Sequence, residues 1–399
     1  MSFSIVLFDR FEGRSDLLPL VATRPIGNLR VGAFTLDQKW QVLTNQDVSY
    51  LTVDYLQSKF TCNPQHNTVI LVDANVLPTK ELLHALVELE FNCNLVDEQG
   101  KWLAVKIQKE DLPLITEKKN LYFDESYLVG KISRVRFLED IFLLNAKEIS
   151  ADVENLKLQK SSLEAYPNIS FHGEDIYMHD SVEIEQASID TREGLVYLDE
   201  NVIVEPGVII KGPAYIGKGS RLKSGTVIYP NVTIGPNCTV SGELNNTVIW
   251  GNSAKGHYGY LGCAVIGEGC NLGAGTTNSN LKNDWNSVKL YSYKDNNFRN
   301  TGLLKCGVFI GDHSMLAISS KINTGTVIGV GAQVAMSNFI PKFVPDFSWF
   351  TDSKQDGYIF LKFMEMMDRK ALVKKESFTN EDKEILHYIY KHTEQLRNY

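Results

Sequence analysis

Two folds joined in one chain are predicted: an α/β domain over residues 1–150 and a parallel β-helix of six-residue repeats over residues 174–345. Three observations carry this. Every sixth residue from Leu198 is aliphatic (Leu198, Val204, Ile210, Ile216, Leu222, Ile228, Ile234, Val240), and the period returns at Ile310, Leu316, Ile322, Ile328 and Val334, with a short run at Ile266 and Leu272. Glycine often follows directly, as at Gly217, Gly235, Gly267, Gly273, Gly311 and Gly329. Upstream, apolar strand-like runs at Ser4–Phe8 and Thr68–Val72 alternate with helix-like segments at Lys80–Glu90 and Val135–Ile149. If about a quarter of positions were Leu, Ile or Val, chance would give the first run on the order of once in 10⁵.

The spacing dictates the physics of the repeat. Each hexad supplies a short strand and a tight turn, and three hexads close one triangular coil. Every sixth side chain then points into the prism and stacks on its counterpart one coil away. Small residues and glycine suit the corners, where the backbone bends sharply. Stacked coils pair their backbones as parallel ladders.

In residues 1–150 the alternation of strands and helices favours a largely parallel sheet. Ala151–Gly173 reads as a linker, and the repeat stops beyond Pro341 and Pro345. Residues 346–399 read as C-terminal helices. Phe360, Met364, Met367 and Ala371 share one helical face, and Thr379 with Asp382 caps a last helix carrying Leu386, Ile389, Tyr390 and Leu396.

Composition narrows the function. The chain has 399 residues, 43% hydrophobic and 22% charged, and no apolar run near the roughly 20 residues of a membrane span. The start, Met1 to Asp9, has no basic flank and reads as a first strand rather than a signal peptide. Net charge is −8 with no basic tract, which argues against nucleic acid as partner. Six cysteines without a CxxC pair read as free thiols of a cytoplasmic protein.

The chemistry is expected where the period breaks, at residues 241–265 and from Asn283 to Gly307. The first break leads into Ser253-Ala-Lys-Gly-His257-Tyr-Gly-Tyr260-Leu-Gly262, followed by Asn271-Leu-Gly-Ala-Gly275-Thr-Thr-Asn278-Ser-Asn280. A β-helix has no structural need for this His, Tyr and Asn cluster. Imidazole is suited to taking a proton near neutral pH, although a hydrogen-bonded structural histidine fits the spacing equally. Asn and Tyr can fix sugar hydroxyls, and Gly-Ala-Gly lets a ligand lie on bare backbone. The second break, with Tyr291, Tyr293 and Phe298, reads as an excursion that closes over the first.

Residues 253–280 closely resemble the acetyltransferase domain of the bifunctional glucosamine-1-phosphate acetyltransferase/uridylyltransferase family. The resemblance implies a left-handed β-helix, a homotrimer with sites between neighbouring prisms, and acetyl-CoA as cosubstrate. It implies His257 as general base, with Glu243, Tyr260, Asn271 and Asn280 as sugar or CoA contacts. Lys282, otherwise a solvated turn residue, would touch phosphate or CoA. Gly273, Ala274 and Gly275 would form the acetyl-CoA wall. Over most of the chain, the stretches Leu18–Gly32, Asn278–Asn283 and Phe347–Trp349 look like the Bacteroidetes-type variant, a sugar nucleotidyltransferase fused to a hexapeptide acyltransferase.

Departures bear on the substrate. Near the positions of the family's basic sugar-phosphate residues stand Tyr229 and Asn245, and the Gly-rich triphosphate loop is missing after Ile5–Phe8. Arg24 and Arg30 are the candidates for nucleotide contacts in its place, and Asp73 for a Mg²⁺-binding carboxylate. Ordinary ion pairs and a strand-end turn explain the same residues. The expected function is acetyl-CoA-dependent acyl transfer to an amino-sugar phosphate or nucleotide-linked amino sugar, joined to sugar-1-phosphate nucleotidyl transfer. A non-catalytic trimeric scaffold is the alternative. A metal-dependent lyase of the carbonic anhydrase type is disfavoured, because three imidazoles are needed and the prism offers His257 and His313.

Overall fold

A computed structural model describes residues 3–9, 11–116, 125–162, 164 and 166–397. The chain divides into two compact units, one of residues 1–14, 24–29 and 34–136, the other of residues 15–23, 30–33 and 137–399.

The first unit holds a six-stranded mixed sheet. Its strands are β1 (Ser4–Phe8), β2 (Val48–Leu51), β3 (Thr68–Asp73), β4 (Asn94–Val96), β5 (Trp102–Gln108) and β6 (Ser126–Leu128), in the order β2-β1-β3-β5-β4-β6. β1 lies parallel between β2 and β3, whereas β5 runs antiparallel to both neighbours. Val6, Val69, Leu71, Val105 and Ile107 form one core on the sheet. Helices α1 (Leu36–Thr44) and α2 (Lys80–Glu88) begin at threonines, and the Thr79 hydroxyl accepts from the Leu82 amide at 3.1 Å.

The second unit is a parallel β-helix with three faces. One face carries the inward residues Leu198, Ile216, Ile234, Ile249, Ile266, Ile310 and Ile328 on successive rungs. These and the inward residues of the other two faces make one buried cluster along the prism. Corners take residues at positive φ, such as Asn237 (55°) and Gly219 (69°), which the tight bend demands.

The first face is covered on its outside by α3 (Asp140–Leu156). Phe142 stacks on Phe309 with ring centres 6.1 Å apart. Thr233 Oγ1 donates to Asn145 Oδ1 at 2.9 Å and to the Gly32 carbonyl at 3.0 Å, and Asn145 accepts from the Gly32 amide at 2.8 Å. Residues Ala151 to Leu156, expected in the linker, therefore finish a helix. At the other end of that stretch, Ser170–His172 already pairs with Ser188–Asp190 as a rung.

The prism also runs past Pro345, since Ser348–Thr351 pairs with Gln333–Ala335 and Phe350 fills the inward slot. Helices α4 (Phe360–Lys374) and α5 (Asn380–His392) follow. Phe363 and Met367 are buried on α4, and the Thr379–Asp382 box caps α5 with Asp382 accepting from the Thr379 amide at 2.9 Å. Ile234→Ala in the middle of the stack is expected to cost about 2–5 kcal/mol, read from urea unfolding monitored by circular dichroism.

Candidate functional site

The first interruption of the period is a shortening of the repeat rather than an excursion. The inward positions run Val240, Leu244, Ile249, Lys255, Leu261, Ile266, Leu272, Asn278, so steps of four and five residues replace steps of six while every rung stays paired. The prism tolerates this because the residues are lost at corners. Ser241 and Gly242 alone link Val240 to Glu243, whereas Gly256, His257, Tyr258 and Gly259 link Lys255 to Tyr260 one coil on. The two corners touch: a Cβ on Gly242 (φ 93°) would stand 2.4 Å from the Gly259 carbonyl oxygen.

This longer corner carries His257 and Tyr258, both exposed. It leads into a face on which Glu243 and Tyr260 are ladder neighbours. Asn280 Nδ2 donates to the Tyr260 hydroxyl at 3.2 Å and contacts the Cys263 thiol at 3.5 Å. Burial, with the neighbouring Cys263 adding to it, raises the Tyr260 phenol above its ordinary value and keeps it a hydrogen-bond donor. Glu243, Tyr260 and Asn280 are thus gathered at the foot of the His257 corner. Asn271 starts the next corner from the adjoining face, beside Ala254 and Met315.

The Gly273-Ala274-Gly275 corner lies directly above. Gly275 (φ 76°) donates its amide to the Tyr258 carbonyl at 3.1 Å, and a Cβ there would be 3.0 Å from the Tyr258 hydroxyl. The bare backbone expected to face a ligand therefore has the Tyr258 side chain against it. Lys282 pairs with Asp284 at 3.0 Å. The second interruption forms a hairpin, Lys289–Ser292 with Asn297–Asn300. Tyr291 stacks on Phe343 at 3.5 Å and Arg299 pairs with Glu139, so the hairpin packs along a different corner and does not cover His257.

Sequence reasoning missed two lysines. Lys211, Tyr229 and Asn245 are consecutive outward positions on the face of Glu243 and Tyr260, and the Lys211 ammonium is 5.2 Å from the Tyr229 ring centre. The row without its expected basic pair therefore holds a cation one coil lower. Lys255 occupies an inward slot of the prism, 1% exposed. Its signal was hidden because the period slips just before it.

In the first unit, Asp9 directly follows β1 and Asp73 ends β3, where the strand order reverses about β1. Crevices of this kind bind ligands in open α/β sheets. Asp9 contacts the Arg14 guanidinium and accepts from Thr52 Oγ1 at 2.6 Å; burial, the largest influence, still raises its carboxyl. Arg24 donates to Asn28 Oδ1 at 3.2 Å. Arg30 belongs to the second unit, where its buried guanidinium bonds the Ala33 carbonyl, a structural tie.

Asp73 accepts from Arg134 at 3.0 Å, and Arg134 reaches Asp97 at 3.2 Å. A carboxylate already neutralised by a buried guanidinium is poorly placed to serve as a Mg²⁺ ligand, because the ion would have to displace Arg134.

Residues 5–161 match the family model for sugar nucleotidyl transferases. The bifunctional protein GlmU of Wigglesworthia glossinidia brevipalpis is 32% identical over 169 residues, covering 35% of this chain and 34% of that protein. GlmU of Clostridium kluyveri is 23% identical over 243 residues, covering 60% of this chain and 49% of that protein. The chain thus spans half or less of the length of these curated relatives. Among solved structures, the Francisella novicida UDP-N-acetylglucosamine acyltransferase aligns with a TM-score of 0.39 at 17% identity, covering 58% of this chain and 87% of that one. The chain is thus similar to GlmU proteins over part of their length, and residues 5–161 match a sugar nucleotidyl transferase model ahead of the parallel β-helix.

Asp73→Ala leaves Arg134 buried with one carboxylate fewer and is expected to cost about 3 kcal/mol in chemical denaturation. Millimolar Mg²⁺ is expected to leave the wild-type melting temperature unchanged; a Mg²⁺-dependent rise lost in Asp73→Ala would restore the ligand role.

Proposed function

We propose that the β-helix is an acetyl-CoA-dependent N-acyltransferase acting on an amino-sugar phosphate or a nucleotide-linked amino sugar. The observation that carries this is the His257 corner rising above Glu243, Tyr260 and Asn280 on one face of the prism. His257 takes the proton from the acceptor amine as its nitrogen attacks the thioester carbonyl carbon. The C–S bond then breaks, and the departing CoA thiolate recovers the proton from the imidazolium. Tyr260 and Asn280, already bonded to each other, hold sugar hydroxyls, and Glu243 adds an acceptor for a hydroxyl or for the amine. Lys211 supplies the positive charge for an anionic acceptor, which supports a phosphate-bearing sugar despite the net charge.

The active form we propose is a cytoplasmic homotrimer with its sites shared between prisms. Tyr258, Ile318 and Phe339 support it, being 70%, 72% and 56% exposed along the corner and face of the site. Six cysteines outside any disulfide fit a reducing compartment. For the first unit, the match over residues 5–161 supports sugar-1-phosphate nucleotidyl transfer at the Asp9–Arg24 crevice. The Asp73–Arg134–Asp97 pairing favours a second reading, sugar-nucleotide binding without turnover.

Thiol release from acetyl-CoA, measured with a panel of amino-sugar phosphates and amino-sugar nucleotides, tests the first proposal. His257→Ala is expected to lower kcat by about 10²–10⁴. Absence of turnover with every acceptor, or full activity in His257→Ala, refutes it. Lys211→Met is expected to raise KM for a phosphorylated acceptor about tenfold while leaving KM for acetyl-CoA unchanged; equal effects on both would remove Lys211 from acceptor binding.

A further inference from the structure

Lys255 stands where the stack demands an aliphatic residue. On its face the inward neighbours are Val204, Leu222 and Val240 on one side and Leu272, Leu316 and Val334 on the other. An amine in such a slot is costly unless its protons are bonded. Its Nζ donates to the His257 carbonyl at 2.5 Å, the Tyr258 carbonyl at 3.0 Å and the Ser241 carbonyl at 3.4 Å. The last belongs to the shortened corner one coil below, so a single ammonium ties both corners from inside.

The remaining carbonyls of the long corner are also held. Gly256 accepts from Lys223 Nζ at 3.1 Å, and Gly259 accepts from the Glu243 amide at 3.1 Å. A four-residue corner containing two glycines would otherwise have several conformations open to it. With every carbonyl bonded, the His257 backbone has one, and the imidazole keeps only its side-chain rotations.

We propose, resting on the acyltransferase reading above, that Lys255 is a positioning residue that fixes the His257 corner from within the prism. It touches no substrate. Its stem fills the hydrophobic slot, and its ammonium sets the direction from which His257 approaches the acceptor. Burial pulls the amine down to about 8, which still leaves it mainly protonated and a three-fold donor at neutral pH.

Lys255→Met keeps the stem and removes the donors, and Lys255→Leu copies the neighbouring rungs. Both are expected to melt at or above the wild-type temperature, since an apolar residue replaces a buried charge. Both are expected to lower kcat by about 10² with KM for acetyl-CoA within about threefold, the pattern of a misplaced base. Hydrogen exchange in a peptide spanning the corner is expected to quicken about tenfold. Unchanged exchange, or an active wild type whose two variants keep kcat within twofold, overturns the proposal. So does loss of folding in both variants, which would make Lys255 structural. A wild type inactive toward every acceptor sinks the acyltransferase reading instead, and the exchange measurement still decides whether Lys255 holds the corner.

Discussion

Everything in the β-helix follows from the closure of a triangular coil around a dry axis. Each coil must return to the same three inward slots, and each slot must hold a side chain that stacks on the one below. Variation is thereby driven to the corners, which can lose residues without opening the ladder. Removing two residues at Ser241–Gly242 keeps Leu244 and Ile249 on their rungs while leaving the next corner longer than the one beneath it. The candidate site is that mismatch, a projecting turn on an otherwise regular column.

The period made the prism legible down to individual inward residues, because an aliphatic stack has no other way to satisfy a six-residue repeat. Boundaries were less legible. α3 was anticipated near Val135–Ile149, but its helical period could not say which unit it would join. That is decided by Asn145 and Phe142, whose partners Thr233 and Phe309 lie far along the chain. The expected break at residues 241–265 is a change of step from six to four and five, which a fixed-period reading registers as absence of the repeat. Lys255 disappeared for the same reason, compounded by being the wrong residue type for a core. In the first unit, Asp73 looked like a metal ligand from its strand-end position alone, whereas its pairing with Arg134 depends on a residue sixty-one positions away.

Polar groups inside a hydrophobic column are tolerated where they bind backbone. Asn278 fills an inward slot next to the site and bonds both the amide and the carbonyl of Gly262, at 2.8 and 3.0 Å. Lys255 does the equivalent with three carbonyls. Two successive coils therefore replace core side chains by devices that shape the backbone of the corner and of the Tyr260 strand. Fold stability and site geometry are maintained by different residues within the same column.

The tie among Gly32, Asn145 and Thr233 bears on how the protein can be taken apart. Residues 15–23, 30–33 and 137–156, all from the N-terminal part of the sequence, pack within the β-helix unit. A fragment beginning at residue 174 would bare the first face of the prism, including Phe309 and the Thr233 hydroxyl, both fully buried in the whole chain. The β-helix unit is thus completed by segments drawn from the first 156 residues. A gene rearrangement that swapped the front domain at a single junction would deliver a β-helix with an uncovered hydrophobic side.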